Sequence, residues 1–467
     1  MLALLVRIPG YVHQLFDPDE ATIADQAITL RDGGRLYVDA IDRKPPLPTY
    51  IYDATFNVFH NVDLRPVHVV AALFLAIAGC AVASDVGLRT RAQRTWAGVL
   101  LVTGAVAFLP DSGQSANYAH FALAPGALAI VLARRRSGAA ALLAGLSLAA
   151  AVMCRQTWLI GLLPAFVSIT GSRRWINRAW FGSGFLAGLA VTLVSLPTRE
   201  VWHWVFTSNQ GFLLTGPNWS MVSVSFFGGL VLLLVLHLPI LAAAGHRVHS
   251  AGGVTAALRV DRDLWMWWAT ATIAWLSGFR FFAHYWLQSL PPLVLLAAPV
   301  IGGLGSRIRR SAGAFTLITT LVAVGAAFTP GAFRALPDPA PLARYVSAHT
   351  EPGQRVLVWG NFPEVLWRAD RPIGGALVHS DFVTGVSGNR TLGWFTLIGT
   401  TPGADAAAMR SVRSHPPELV LDTSSANIRS YGDYPLTDFT ALAEFVYANY
   451  TTVAQVDGVT IFRRLQK

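Results

Sequence analysis

Three carboxylates crowd the stretch "FDPDEATIADQ", where Asp17, Asp19 and Glu20 fall within four positions of a chain with only 26 acidic residues in 467. A carboxylate can take the proton of a hydroxyl nucleophile or ligate a metal ion. The plainer alternative is a helix start. Asp17 or Asp19 would cap "EATIADQAITLRD", and Asp19 and Glu20 would favour the dipole of its first turn. About 25 residues further on stands Lys44, in "IDRKPPLP", one of two lysines among 36 basic residues. A chain that otherwise uses arginine places a point-charge ammonium here, a group suited to a phosphate. An ordinary cation at the membrane edge is the competing reading.

Fewer residues compete elsewhere. Arg155 stands in "CRQTW", His120 in "SANYAHFAL", and Arg280, His284 and Tyr285 in "FRFFAHYWLQSLPPLVLLAAP". No phosphate-binding glycine loop, serine-nucleophile elbow or zinc-protease helix is present. Cys80 and Cys154 both lie in apolar segments and have no zinc-site spacing.

The elements that must position these residues follow from composition. Hydrophobic residues make up 53% and charged residues 13%, and mean hydropathy is +0.46. Soluble domains carry about 25% charged residues, so the chain reads as a polytopic α-helical membrane protein. A net charge of +10 would suggest nucleic acid in a soluble protein. Here the basic residues sit in short loops between apolar runs and report orientation instead. Five arginine clusters, around residues 89–94, 134–136, 173–178, 247–262 and 307–310, are expected on the cytoplasmic side. The runs joining them, with the apolar start, give about eleven spans. Segment 1–12 reads as the outer end of a first span and not as a signal peptide.

This arrangement places loop 13–63 on the outer face, with residues 45–60 as an interfacial helix. The short loops carrying His120, Arg155 and His284 fall on the same side, as does the tryptophan-rich loop 198–219, suited to stacking on a sugar. After residue 330 the composition becomes that of a soluble domain. Residues 331–467 read as an extracytoplasmic α/β domain, with strands at 355–360, 418–423, 451–456 and 459–464 and helices near 339–350 and 437–449.

An Asp-Glu pair after a first span, followed about 25 residues later by "KPP" opening an aromatic helix, resembles the polyprenyl-phosphate-sugar glycosyltransferases of the GT-C superfamily. Glycosyltransferase family 39, with the protein O-mannosyltransferases and the related aminoarabinose transferases, is the nearest group. The stretch 279–299, with a basic residue before His-Tyr and a later Pro-Pro, is similar to another part of that group. The resemblance covers residues 11–303 and implies a GT-C-type module over 1–330. It implies that Asp19 deprotonates the acceptor beside Glu20. Lys44 would contact the lipid phosphate, with Arg155, Arg280, His284 and Tyr285 as further donor-binding residues. Relatives place an acid near the position of His120. That histidine, with Glu20, is the candidate for a divalent metal ion, the one cofactor implied.

Such a reaction is chemically economical. A sugar on a lipid phosphate already has a good leaving group, so one base suffices where glycoside hydrolysis needs an acid and a base. The implied partners are the lipid-linked donor, a cell-envelope acceptor (glycan, lipid or protein) and the bilayer, with no nucleic acid. A flippase for lipid-linked sugars would instead show inverted repeats and mid-membrane charges, and the sequence shows neither. A non-catalytic envelope assembly protein would have no need of Asp19, Glu20 and Lys44.

Overall fold

Capping residues set the helix starts. Thr90 opens Arg91–Val106 with a reciprocal capping box to Gln93, and Asn117 and Ser137 cap Tyr118–Ala133 and Gly138–Cys154. The computed structural model describes residues 1–208, 219–277, 281–333, 336–385 and 400–466. The chain divides into two compact units. The first holds Met1–Asp17, Leu64–Ser195 and Val222–Ala335; the second holds Pro18–Asp63, Leu196–Met221 and Leu336–Lys467.

The first unit is helical among the described residues. Small residues let its backbones approach closely: a Cβ on Gly145 would lie 2.1 Å from the Phe181 carbonyl oxygen, and one on Gly184 as close to that of Leu142. Helices Gly138–Cys154 and Arg174–Leu193 meet through this seam. The arginine-rich loops gather at one end of the unit. Arg134 pairs with both Asp85 and Asp263, Gln93 reaches the Pro299 carbonyl, and Gly171 lies beside the Arg136 side chain. At the other end, buried Arg7 donates to the Gly113 and Ser115 carbonyls, both at 3.1 Å, and Gln114 donates to Val6.

Two described helices, Leu64–Ala83 and Ala283–Gly303, are long and apolar enough to cross a membrane, and four segments qualify when each sharply bent pair counts as one. The chain is therefore a multi-pass membrane protein, but length and composition mark fewer spans than the expected eleven. The reasons are local. The apolar run after Arg155 splits into a tight turn Gln156–Gly161 and a short helix Leu162–Ser168. The run after residue 222 bends by 82° near His237, whose Nε2 bonds the Gly104 carbonyl.

The second unit is built on a four-stranded mixed sheet of order β1-β2-β4-β3. β1 (Val356–Trp359) runs parallel to β2 (Leu419–Asp422), while β4 (Val459–Arg464) is antiparallel to both β2 and β3 (Tyr450–Val456). Leu357, Trp359, Val420, Val446, Tyr450 and Phe462 form its core. Helices Ala340–His349 and Thr440–Asn449 accompany the sheet. Two segments from earlier in the chain join this unit. Helices Pro18–Arg31 and Leu47–Phe59 pack together, Ile41 pairs with Leu377, Thr29 Oγ1 accepts the Ile373 N–H, and Trp367 donates to the Val62 carbonyl.

Candidate functional site

The two acids of the opening stretch meet different surroundings. Both stand in the first turn of Pro18–Arg31. Asp19 is half-buried, whereas Glu20 is 0% exposed. Only Asp19 is open to a substrate. Lys44 is also half-buried, and its segment is held by a chain of hydrogen bonds. Thr49 donates to Gln26 Oε1 at 2.7 Å, and Gln26 Nε2 donates to Asp42 Oδ2 at 3.0 Å. Tyr37 donates its hydroxyl to the Lys44 carbonyl at 2.8 Å. The helix bearing Asp19 therefore fixes the backbone that bears Lys44. The proline pair after Lys44 starts the next helix by presetting φ there.

A buried polar network lies behind this loop, and the sequence reading missed it. Arg43, next to Lys44, stacks on Phe382 with its guanidinium carbon 4.2 Å from the ring centroid. Asp381 accepts from Tyr431 at 2.7 Å and from Asn361 at 2.8 Å. Arg429 holds the Asn361 carbonyl at 2.7 Å and pairs with buried Glu364. Its own φ of 53° is in the left-handed region, as are those of Asn427 and Ser430, a strained run that aims the guanidinium inward. His379 stands 3.6 Å from Asp381. Burial holds its imidazole below its usual pKa despite the pull of Asp381, so the ring is neutral at pH 7. Asn361 follows the carboxyl end of parallel strand β1, where open sheets place functional groups. That position was the available signal. Single polar residues scattered over 70 positions formed no motif.

Asp25 has the most unusual environment. It is fully buried, and neither carboxylate oxygen has a hydrogen-bond partner among the described residues. Burial raises its pKa well above the usual carboxylate value, Glu364 adds to the rise, and the nearby Trp367 backbone N–H offsets part of it. The native state thus keeps a proton that the unfolded chain releases above about pH 3.9. Stability contributed by this group falls as pH rises from that value toward the folded pKa. Asp25→Asn keeps the shape and cannot ionise. Its melting temperature should decline less than that of the wild type between about pH 5 and pH 8. Parallel declines in the two proteins would show that Asp25 is ionised in the fold.

The remaining candidates belong to the first unit. Arg155, 7% exposed, lies over the Tyr285 ring with its guanidinium carbon 3.7 Å from the centroid. His284 stacks on Phe282 and meets Tyr285 edge-on at 4.9 Å. Thr157 and Gln288 exchange two hydrogen bonds, tying the segment after Arg155 to the one after Tyr285. The structure thus joins Arg155, His284 and Tyr285. Arg280 and residues 209–218 of loop 198–219 lie outside the described residues.

His120 bonds Asn117 Oδ1 through Nδ1 at 3.1 Å, and its buried Nε2 has no hydrogen-bond partner among the described residues. Among the described residues, no group of three or more His, Cys, Asp or Glu side chains could hold a metal ion. His120 and Glu20 are thus not part of a larger ligand group among the described residues, and two side chains are few for a divalent ion.

No family profile matches the chain, and no curated protein is similar to it in sequence. Solved structures do match. ArnT from Cupriavidus metallidurans bound to undecaprenyl phosphate superimposes with a TM-score of 0.61 at 11% identity, covering 100% of this chain and 97% of that one. The oligosaccharyltransferase of Archaeoglobus fulgidus tethered with an acceptor peptide gives 0.50 at 12% identity, covering 100% of this chain and 74% of that one. At such identities the likeness establishes the fold alone, a mostly helical one with a small C-terminal mixed sheet that is similar to those of these two proteins.

Proposed function

We propose that this chain is a membrane glycosyltransferase that moves a sugar from a polyprenyl monophosphate to a cell-envelope acceptor at the outer membrane face. The observation that carries this reading is the full-length fold match to a protein seen holding undecaprenyl phosphate. The contrast between open Asp19 and sealed Glu20 supports the assignment of roles.

Asp19 takes the proton of the acceptor hydroxyl as its oxygen attacks the anomeric carbon. The bond from that carbon to the phosphate oxygen breaks, and polyprenyl phosphate leaves with the electron pair. In-line attack inverts the anomeric centre. The donor is a diester with one negative charge, and the departing monoester approaches two. Lys44, Arg155 and Arg280 therefore favour the transition state over the donor. Glu20, buried beneath Asp19 in the same turn, positions the helix and does not meet substrate. His284 and Tyr285 hold Arg155 in place. The reading is tested by incubating purified protein with a panel of polyprenyl-phosphate sugars and following release of polyprenyl phosphate.

The arginine-rich end of the first unit is assigned to the cytoplasm and the second unit to the outside. In intact cells, a cysteine introduced at Arg91 should resist an impermeant thiol reagent, while one at Ser425 should label. The reverse pattern would invert the orientation.

A further inference from the structure

A cleft of about 550 Å³ opens within the second unit, lined by the first loop, the turn after Pro197 and the helix Ala404–Ser414. Its charge is one-sided. Arg35, Arg199 and Arg410 line it, with Asp39 and Glu200 as the acids. Asp39 is shared between Arg35, at 3.9 Å, and Arg355, at 3.1 Å, which is not part of the lining. The side chains of Arg199 and Arg410 are exposed and make no ion pair or hydrogen bond among the described residues. With Arg35 paired to Asp39, Glu200 is left to face the guanidinium groups of Arg199 and Arg410. Tyr37 and Trp204 back the lining, both almost entirely buried, and so hold its shape. His203 anchors the turn by bonding the Pro402 carbonyl and Ser208.

We propose that this cleft binds an acidic saccharide, one carrying a carboxylate or phosphate on a sugar ring. Guanidinium groups match both oxyanions in a forked geometry, and the cleft concentrates their field. The volume is within the range of small-molecule sites and exceeds the need of a bare anion. This deepens the transferase reading, on which it rests for the role of the saccharide: the occupant is the acceptor, and the acceptor class is an acidic glycan.

The test uses the purified full-length chain without any lipid donor, so its outcome is separate from that of the transfer assay. Glucose 6-phosphate, glucuronate, glucose and inorganic phosphate are titrated by ligand-observed NMR. The two acidic sugars should bind about tenfold or more tightly than glucose or phosphate. Arg199→Ala/Arg410→Ala should lose that preference while keeping the wild-type melting temperature, since both side chains are exposed. Equal binding of glucose would remove the charge argument, and equal binding of phosphate would leave an anion site with no sugar recognition. Wild-type affinity in the double variant would overturn the assignment. Should the acidic sugars bind as expected while no lipid-linked donor is consumed, the cleft would stand and the transferase reading would fall.

Discussion

Asp19→Asn should lower sugar transfer by about 100-fold or more while leaving donor affinity close to wild type. The amide keeps the size of the side chain and can still hydrogen-bond, but it cannot accept the acceptor's proton. Its neighbour is the internal control. Glu20 is sealed within the unit, so Glu20→Gln should act mainly on stability and retain most of the turnover of the molecules that fold. Full transfer by Asp19→Asn would reduce the opening stretch to a helix start with favourable charges.

Lys44→Ala should weaken binding of a polyprenyl monophosphate by about 1.5–3 kcal/mol, the range for a direct hydrogen bond to a charged group. That corresponds to roughly 10- to 150-fold. Arg280→Ala should act in the same direction. Arg155→Ala would remove both a cation and the packing against Tyr285, so its loss should include a fall in melting temperature. Lys44→Arg keeps the charge and should recover part of the affinity. The measurement is a titration with undecaprenyl phosphate, with undecaprenol as the uncharged comparison. Wild-type affinity in Lys44→Ala would take Lys44 out of the phosphate site.

Much of this architecture could be read in the sequence because its signals are local. The strands at 356–359, 419–422, 450–456 and 459–464 are short β-rich runs bounded by turn residues, and each reads from its own residues. The arginine loops converge at one end of the first unit, as their charge pattern led one to expect. The span count was less legible. Pro125 inside one helix, the split after Arg155 and the bend near His237 shorten or break apolar runs that composition alone treats as continuous.

Long-range placement was the least legible part. Nothing near Asp25 in the chain announces Glu364, and nothing near Lys44 announces Phe382 beside Arg43. The second unit is assembled from three separated segments, so its polar network exists only once they meet. The resemblance gave Asp19 the role of base and Glu20 that of its neighbour, but no residue nearby told how differently the two are exposed. Burial is what separates them.

The most direct measurement gives the purified wild-type protein an undecaprenyl-phosphate sugar and an envelope-glycan acceptor and follows the products by mass spectrometry. The same assay is run with Asp19→Asn. The account predicts equal amounts of free undecaprenyl phosphate and of acceptor heavier by one sugar, with both products nearly absent in the variant. Donor that crosses a bilayer unchanged, or stays intact across the full panel of sugars, would contradict it.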